Sequence, residues 1–285
     1  MTLRQLVAEV AVRLRRAPLH YGHGTTNVRD EAAFLVLRGL RLPFDAPADR
    51  PVSATERARI LRLLDRRVRE RLPTAYLLHE AWLAGESFYV DRRVIIPRSH
   101  LAGMLAERMR PWLRRAPRRV LDLCTGSGCL AILAAKAYPS ARVDAADLSA
   151  AALAVARRNV ARHRLATRVR LHHSNLFDAL RGVRYDLIVT NPPYVSRDDM
   201  RALPSEYRHE PRLALAAGVD GLDLVRRILA QAHESLNPGG WLACEVGSGR
   251  RALQRAYPNA PFSWTAEDAV FLLPLKALPL AEKLG

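Results

Sequence analysis

Cysteine is scarce in this 285-residue chain: Cys124, Cys129 and Cys244 are the only three, and none forms a CxxC pair. An odd, scattered set excludes a disulfide framework and predicts reduced thiols in a cytoplasmic protein. Metal-ligand spacing is missing as well. Among nine histidines only His172 and His173 are adjacent, and on a strand they would face opposite ways, so no metal is expected. No apolar run approaches the roughly 20 residues that span a bilayer, which predicts no membrane segment. The opening stretch Met1 to Glu9 has an early acid and no continuous apolar core, so no secretory signal is expected. No internal repeat or low-complexity tract is evident.

Lysine is nearly absent too. Lys136, Lys276 and Lys283 stand beside 42 arginines, for a net charge of +17. Residues 1–118 hold 23 basic and 12 acidic residues, so +11 of that excess precedes residue 119. Such a skew fits a G+C-rich coding sequence as well as it fits a nucleic-acid partner. The 49% hydrophobic content allows one large core and a small second one.

The segments that are present divide the chain. Residues 1–85 carry helical periodicity, as in Thr2 to Leu14 and Ala54 to Leu64, with a Pro-rich connector from Leu42 to Pro51. Ser53 with Glu56 three residues on predicts a helix start. The β-rich stretch 86–100 predicts a hairpin linker. From 101 to 285 helices alternate with strands, ending in Ser263 to Ala266 and Ala269 to Leu273. That pattern predicts an α/β fold with a mostly parallel, Rossmann-like sheet and a C-terminal antiparallel hairpin.

Chemistry concentrates at four predicted strand ends. Arg119 to Ala135 reads as strand, glycine turn and helix: Gly126 and Gly128 permit close backbone approach to a ligand, and Asp122 can accept from an ammonium or hydroxyl. Asp147 ends the next strand, where an acid binds ribose hydroxyls. Asn175 ends a third and offers its amide to an adenine edge. Ala131 occupies the third glycine position of a dinucleotide fingerprint, so a nicotinamide enzyme stays open on this motif alone.

The fourth end is Asn191-Pro192-Pro193-Tyr194, after the apolar run Tyr185 to Thr190. Two prolines without N–H groups and the Asn191 side-chain oxygen make an acceptor cluster that suits a planar –NH2 group. Tyr194 adds a flat face beside it.

Together, Asp122 to Gly128, Asp147 and Asn191 to Tyr194 resemble the class I methyltransferases that use S-adenosyl-L-methionine on planar amino nitrogens. Adenine-N6 DNA methyltransferases and protein glutamine-N5 methyltransferases share the tetrapeptide. Leu72 to Leu78, Phe88 to Arg98 and His209-Glu210-Pro211, followed by Leu213 to Val225, look like the glutamine-N5 family along nearly the whole chain. Cys124, where glycine is usual in the release-factor branch, and Glu206 to Pro211 are most similar to the branch acting on the third large-subunit ribosomal protein. Asn175 stands where an acid is more usual.

The resemblance implies a cofactor site of Asp122, Cys124, Thr125, Gly126, Gly128, Asp147, Asn175 and Asn191. It implies catalysis by Asn191, Pro192 and Tyr194, with Pro193 also lining the substrate site. The helical region 1–85 would read the target, a large-subunit ribosomal protein or its assembly precursor, with ribosomal RNA bridging two basic partners. A release factor and duplex DNA remain the alternative substrates, and Glu210-Pro211 is expected to be structural.

Overall fold

The computed structural model describes residues 1–278; residues 279–285, the end of the expected cofactor domain, lie outside the described residues. Thr2 and Ser53 each open a helix by accepting from the N–H three residues on, and Gln5 and Glu56 return a bond to the cap. These boxes start α1 (Leu3–Arg15) and, after the Asn27-capped α2 (Val28–Gly39), α3 (Ala54–Arg69). Their apolar faces share one core that includes Leu6, Val10, Leu14, Leu35, Ile60 and Leu64. Each such side chain contributes about 1.5–3 kcal/mol by burial. Sequence periodicity did not identify α2. Seven of its twelve residues are buried, Glu31 among them, so it has no broad polar face to produce a pattern.

After α4 (Thr74–Leu78), β1 (Ala81–Leu83) pairs antiparallel with β2 (Glu86–Phe88). This corrects the expected hairpin at 86–100. The two-residue turn Ala84-Gly85 has positive φ at both positions, 48° and 77°, as a tight hairpin requires, and it sits upstream of the β-rich stretch. Val90, Val94 and Ile96 are buried for another reason: they pack in one core with Tyr76, Leu77, Ala152 and Val155. The segment is clamped between the helical region and the sheet-bearing region without pairing as a strand.

The remaining elements are α5 (His100–Ala106), β3 (Arg119–Leu123), α6 (Cys129–Ala137), β4 (Arg142–Asp147), α7 (Ala150–Arg162), β5 (Val169–His173), β6 (Tyr185–Thr190), α8 (Arg197–Ala202), α9 (Asp223–Ala232), β7 (Leu236–Glu245), α10 (Arg250–Ala256), β8 (Ser263–Trp264) and β9 (Val270–Pro274). The sheet runs β5-β4-β3-β6-β7-β9-β8. Strands β3 to β7 are parallel, and β9 pairs antiparallel with both β7 and β8, giving the expected C-terminal hairpin. Two apolar layers cover its faces, one around α5 and α6 and the other around α9. The chain winds outward from β3 to β5, then returns to place β6 against the other side of β3. Open sheets of this kind bind ligands at that reversal, beyond the C-terminal strand ends. No helix among the described residues is long and apolar enough to cross a membrane.

Candidate active site

Beyond Leu123 the chain must bend sharply to enter α6, and Cys124, Gly126 and Gly128 all adopt positive φ, 57°, 54° and 81°. Glycine is favoured at 128, where a Cβ would be strained by the positive φ and would lie 3.2 Å from that of Ala156. Cys124 takes the same left-handed conformation with a side chain attached, at a cost of about 1–2 kcal/mol. Asp122 lies fully buried beneath this loop. Its Oδ2 accepts from Thr125 Oγ1 and from the Ala131 N–H at 2.9 Å. Burial pushes its carboxyl up to about 7 against those two bonds. Asp122, Thr125 and Gly128 thus frame the loop and are not among the residues lining the cavity above it.

That cavity holds about 320 Å³, within the roughly 300–1,000 Å³ common for small-molecule sites. Six of the residues singled out from sequence line it: Cys124, Gly126, Asp147, Asn175, Asn191 and Pro193. They come from the ends of β3, β4, β5 and β6, so the fold brings together groups up to 69 positions apart. Asp147 accepts the Gly126 N–H on Oδ2 and the Ser149 N–H on Oδ1, both at 2.8 Å. Each oxygen keeps a further lone pair for a hydroxyl. Burial raises its carboxyl above the ordinary range although both bonds pull it down.

Asn175 Oδ1 accepts from Arg227 Nη2 at 2.9 Å, and both side chains line the cavity. Arg227 was not foreseen; it reaches the site from α9, whose contribution no strand-end motif signals. Arg93, Val94 and Ile95, and Pro211, Leu213 and Ala214, also line the cavity.

At the end of β6, Thr190 Oγ1 donates to the Leu123 carbonyl at 2.9 Å, tying the tetrapeptide to the glycine loop. Asn191 Nδ2 donates to the Arg98 carbonyl at 3.2 Å. A carbonyl can only accept, so this contact commits the amide nitrogen and turns Oδ1 away from Arg98 as a free acceptor. Pro192 is buried. The Tyr194 ring lies against Gly247, where a Cβ would approach its Cε2 to 2.6 Å. Burial, then the nearby Glu245 charge, pushes the Tyr194 hydroxyl up to about 12, so it stays neutral. Neither Pro192 nor Tyr194 lines the 320 Å³ cavity.

Arg98 lies outside the set of site residues expected from sequence, yet its backbone carbonyl orients Asn191 and its guanidinium grips Glu210 through two bonds of 2.6 Å. The motif His209-Glu210-Pro211 was the available signal for that partner. Its neighbour Glu206 enters a second buried cluster. Glu206 is fully buried, with Arg67 Nη1 at 3.2 Å, Arg71 at 3.3 Å and the His20 N–H at 3.0 Å. Arg67 also pairs with Glu31, which accepts from Thr74 and Thr25 at 2.8 and 2.9 Å. The loop after the tetrapeptide is therefore anchored to α2 and α3 by hydrogen-bonded charges.

A family model for the methyltransferase small domain matches residues 102–204. A ribosomal protein uL3 glutamine methyltransferase of Bordetella pertussis is 53% identical over 281 residues, spanning 95% of this chain and 94% of that protein. A protein of the same description from Neisseria meningitidis serogroup B is 47% identical over 95% of this chain and 92% of its own length. Among solved structures, the hMettl16 catalytic domain in complex with a 3′UTR hairpin superposes with a TM-score of 0.50 at 17% identity, covering 78% of this chain and 81% of that one. At that identity the likeness is one of fold.

Proposed function

The chain belongs to the ribosomal protein uL3 glutamine methyltransferases, and from that premise we propose that it transfers a methyl group to the N5 nitrogen of a glutamine side chain in ribosomal protein uL3. The observation that carries the chemical reading is the committed Asn191 amide, with Nδ2 held by the Arg98 carbonyl and Oδ1 left to accept.

The 320 Å³ cavity would hold S-adenosylmethionine, which when bound would supply an electrophilic methyl group. The donor set fits that ligand. Asp147 offers carboxylate lone pairs to ribose hydroxyls, Asn175 an amide to an adenine edge, and Gly126 a wall without a side chain. Asp122, Thr125 and Gly128 act one layer below by fixing the loop.

A glutamine amide nitrogen is a weak nucleophile because its lone pair is delocalised into the carbonyl. Asn191 Oδ1 and the Pro192 carbonyl accept its two N–H bonds, which favours a localised lone pair and aims it along one line. The same acceptors stabilise positive charge that develops on nitrogen during attack. No strong base is needed beforehand, since a proton leaves afterward. Tyr194 bounds the amide-binding side as a neutral ring.

The helical region reads the target, anchored to the catalytic loop through Arg67 and Glu206. With a net charge of +17 the enzyme repels a basic ribosomal protein, so ribosomal RNA in a precursor particle bridges them. Labelled methyl transfer to precursor particles, free uL3, purified release factor and duplex DNA, compared at low and high salt, tests this reading. The expected order is salt-sensitive labelling of particles first. Equal, salt-insensitive labelling of free uL3 would remove the RNA bridge, and label only on release factor or DNA would overturn the substrate.

A further inference from the structure

We propose that Glu210 is a positioning residue for the methyl-transfer site, acting on Asn191 through the chain segment Ile96-Pro97-Arg98. This rests on the reading of Asn191 as the acceptor for the target amide. The Glu210 carboxylate is fully enclosed and receives three bonds from that one segment. Its Oε1 accepts the Ile96 N–H at 2.9 Å and Arg98 Nη1 at 2.6 Å, and its Oε2 accepts Arg98 Nη2 at 2.6 Å. Arg98 Nη1 also donates to the Ile96 carbonyl at 3.1 Å. The side chain of Arg98 therefore folds back on its own segment, closing a ring through Glu210.

Core packing holds Ile96 at the start of the segment, but it supplies no directional bond to fix the Arg98 carbonyl. Pro97 has no N–H to bond. Its central product is the position of the Arg98 carbonyl, the group that accepts Asn191 Nδ2 and so decides which end of that amide is free. Burial, the largest influence on Glu210, raises its carboxyl, yet the bonds and charge of Arg98, with a smaller contribution from His23, hold it down to about 2. His23 Nε2 stands 3.8 Å from Oε2, too far for a hydrogen bond, so Arg98 and Ile96 supply the directional contacts. Glu210 thus stays a charged, two-oxygen acceptor throughout the working range, which is what a bidentate guanidinium clamp requires. Glu210 does not line the 320 Å³ cavity; losing it lets the Arg98 carbonyl drift, and a displacement of about 1 Å near reacting groups is enough to cost about 100-fold in rate.

The test uses the full-length protein with Glu210→Ala and Glu210→Asp. For Glu210→Ala, kcat on the protein substrate is expected to fall about 100-fold, with KM and cofactor Kd within about threefold of wild type. Glu210→Asp keeps the charge but shortens the reach, and an intermediate loss of about tenfold is expected. NMR supplies a readout independent of turnover. The Asn191 Nδ2 proton bonded to the Arg98 carbonyl should be shifted downfield and slow to exchange in the wild type, and should lose both features in Glu210→Ala. Should Glu210→Ala fail to fold, Glu210→Asp and Arg98→Lys carry both readouts. Unchanged Asn191 signals, or a lower melting temperature with kcat intact, would overturn the proposal. If the wild type itself labelled no protein substrate, the functional reading would fall, while the Asn191 signals would still decide the positioning role.

Discussion

An asparagine amide at a strand end can point either way, and at 3.2 Å the Arg98 carbonyl decides which end of Asn191 is free. The sequence motif specified an acceptor cluster but not its orientation, because the deciding partner lies 93 positions upstream on a segment without regular structure. Asp147 shows the opposite case: strand-end placement alone located it, and its two bonds to Gly126 and Ser149 follow from local geometry. Replacing Asp147 by Ala removes two loop contacts and the proposed ribose acceptor together. Calorimetry should find the cofactor Kd raised at least about tenfold, a loss of about 1.4 kcal/mol or more. Unchanged affinity would remove Asp147 from the cofactor site.

At the level of elements, the loop between β3 and α6 depends on backbone conformation more than on side-chain chemistry. Gly128 combines φ of 81° with 3.2 Å between a would-be Cβ and that of Ala156 on α7. Gly128→Ala should therefore destabilise the fold by about 1–2 kcal/mol and weaken cofactor binding, since the strain falls on the loop that carries the cavity-lining Cys124 and Gly126. Thermal melts with and without cofactor check this, and a variant as stable as wild type with equal affinity would contradict it. Periodicity and capping chemistry made α1, α3 and the parallel strands legible in the sequence. The β1–β2 hairpin was placed too far along, because the buried run Val90 to Ile96 looks like a strand but spends its apolar side chains on a core shared with α4 and α7. An apolar run reports burial, and only pairing partners make it a strand.

For the molecule as a whole, the helical region and the catalytic loop are joined by buried charge. Glu31, Arg67 and Glu206 are each under 5% exposed, and none was visible as a pair in the sequence because the partners lie 36 and 139 positions apart. Glu206→Gln leaves Arg67 short of a compensating charge and should cost about 3–5 kcal/mol in urea unfolding, well above what an exposed pair would lose. Glu206 of this cluster and Glu210 of the neighbouring Arg98 clamp together set an acid limit. Burial raises Glu206, but bonds from the His20 N–H and Arg67 hold it below its ordinary 4.5, and Glu210 is held at about 2. A depressed carboxylate stabilises the fold fully above its unfolded value and loses that contribution as pH falls through the folded one. The contribution of these two carboxylates should thus be full above about pH 5 and decline from about 4.5 toward 2, while Asp122, raised to about 7 by burial, acts the other way and costs stability as pH rises toward that value. Urea midpoints that stay constant down to about pH 3 would show that these carboxylates do not set the limit.

The central claim is glutamine methylation that depends on the Asn191 acceptor. Mass spectrometry of uL3 from precursor particles, after incubation with labelled S-adenosylmethionine and either wild-type protein or Asn191→Ala, tests it directly. A methyl group on a glutamine side chain is expected with the wild type. The variant should lose about 100- to 1,000-fold in rate while its cofactor Kd stays within about threefold. A methyl group on any other residue type, or activity in Asn191→Ala within about tenfold of wild type, would contradict the account.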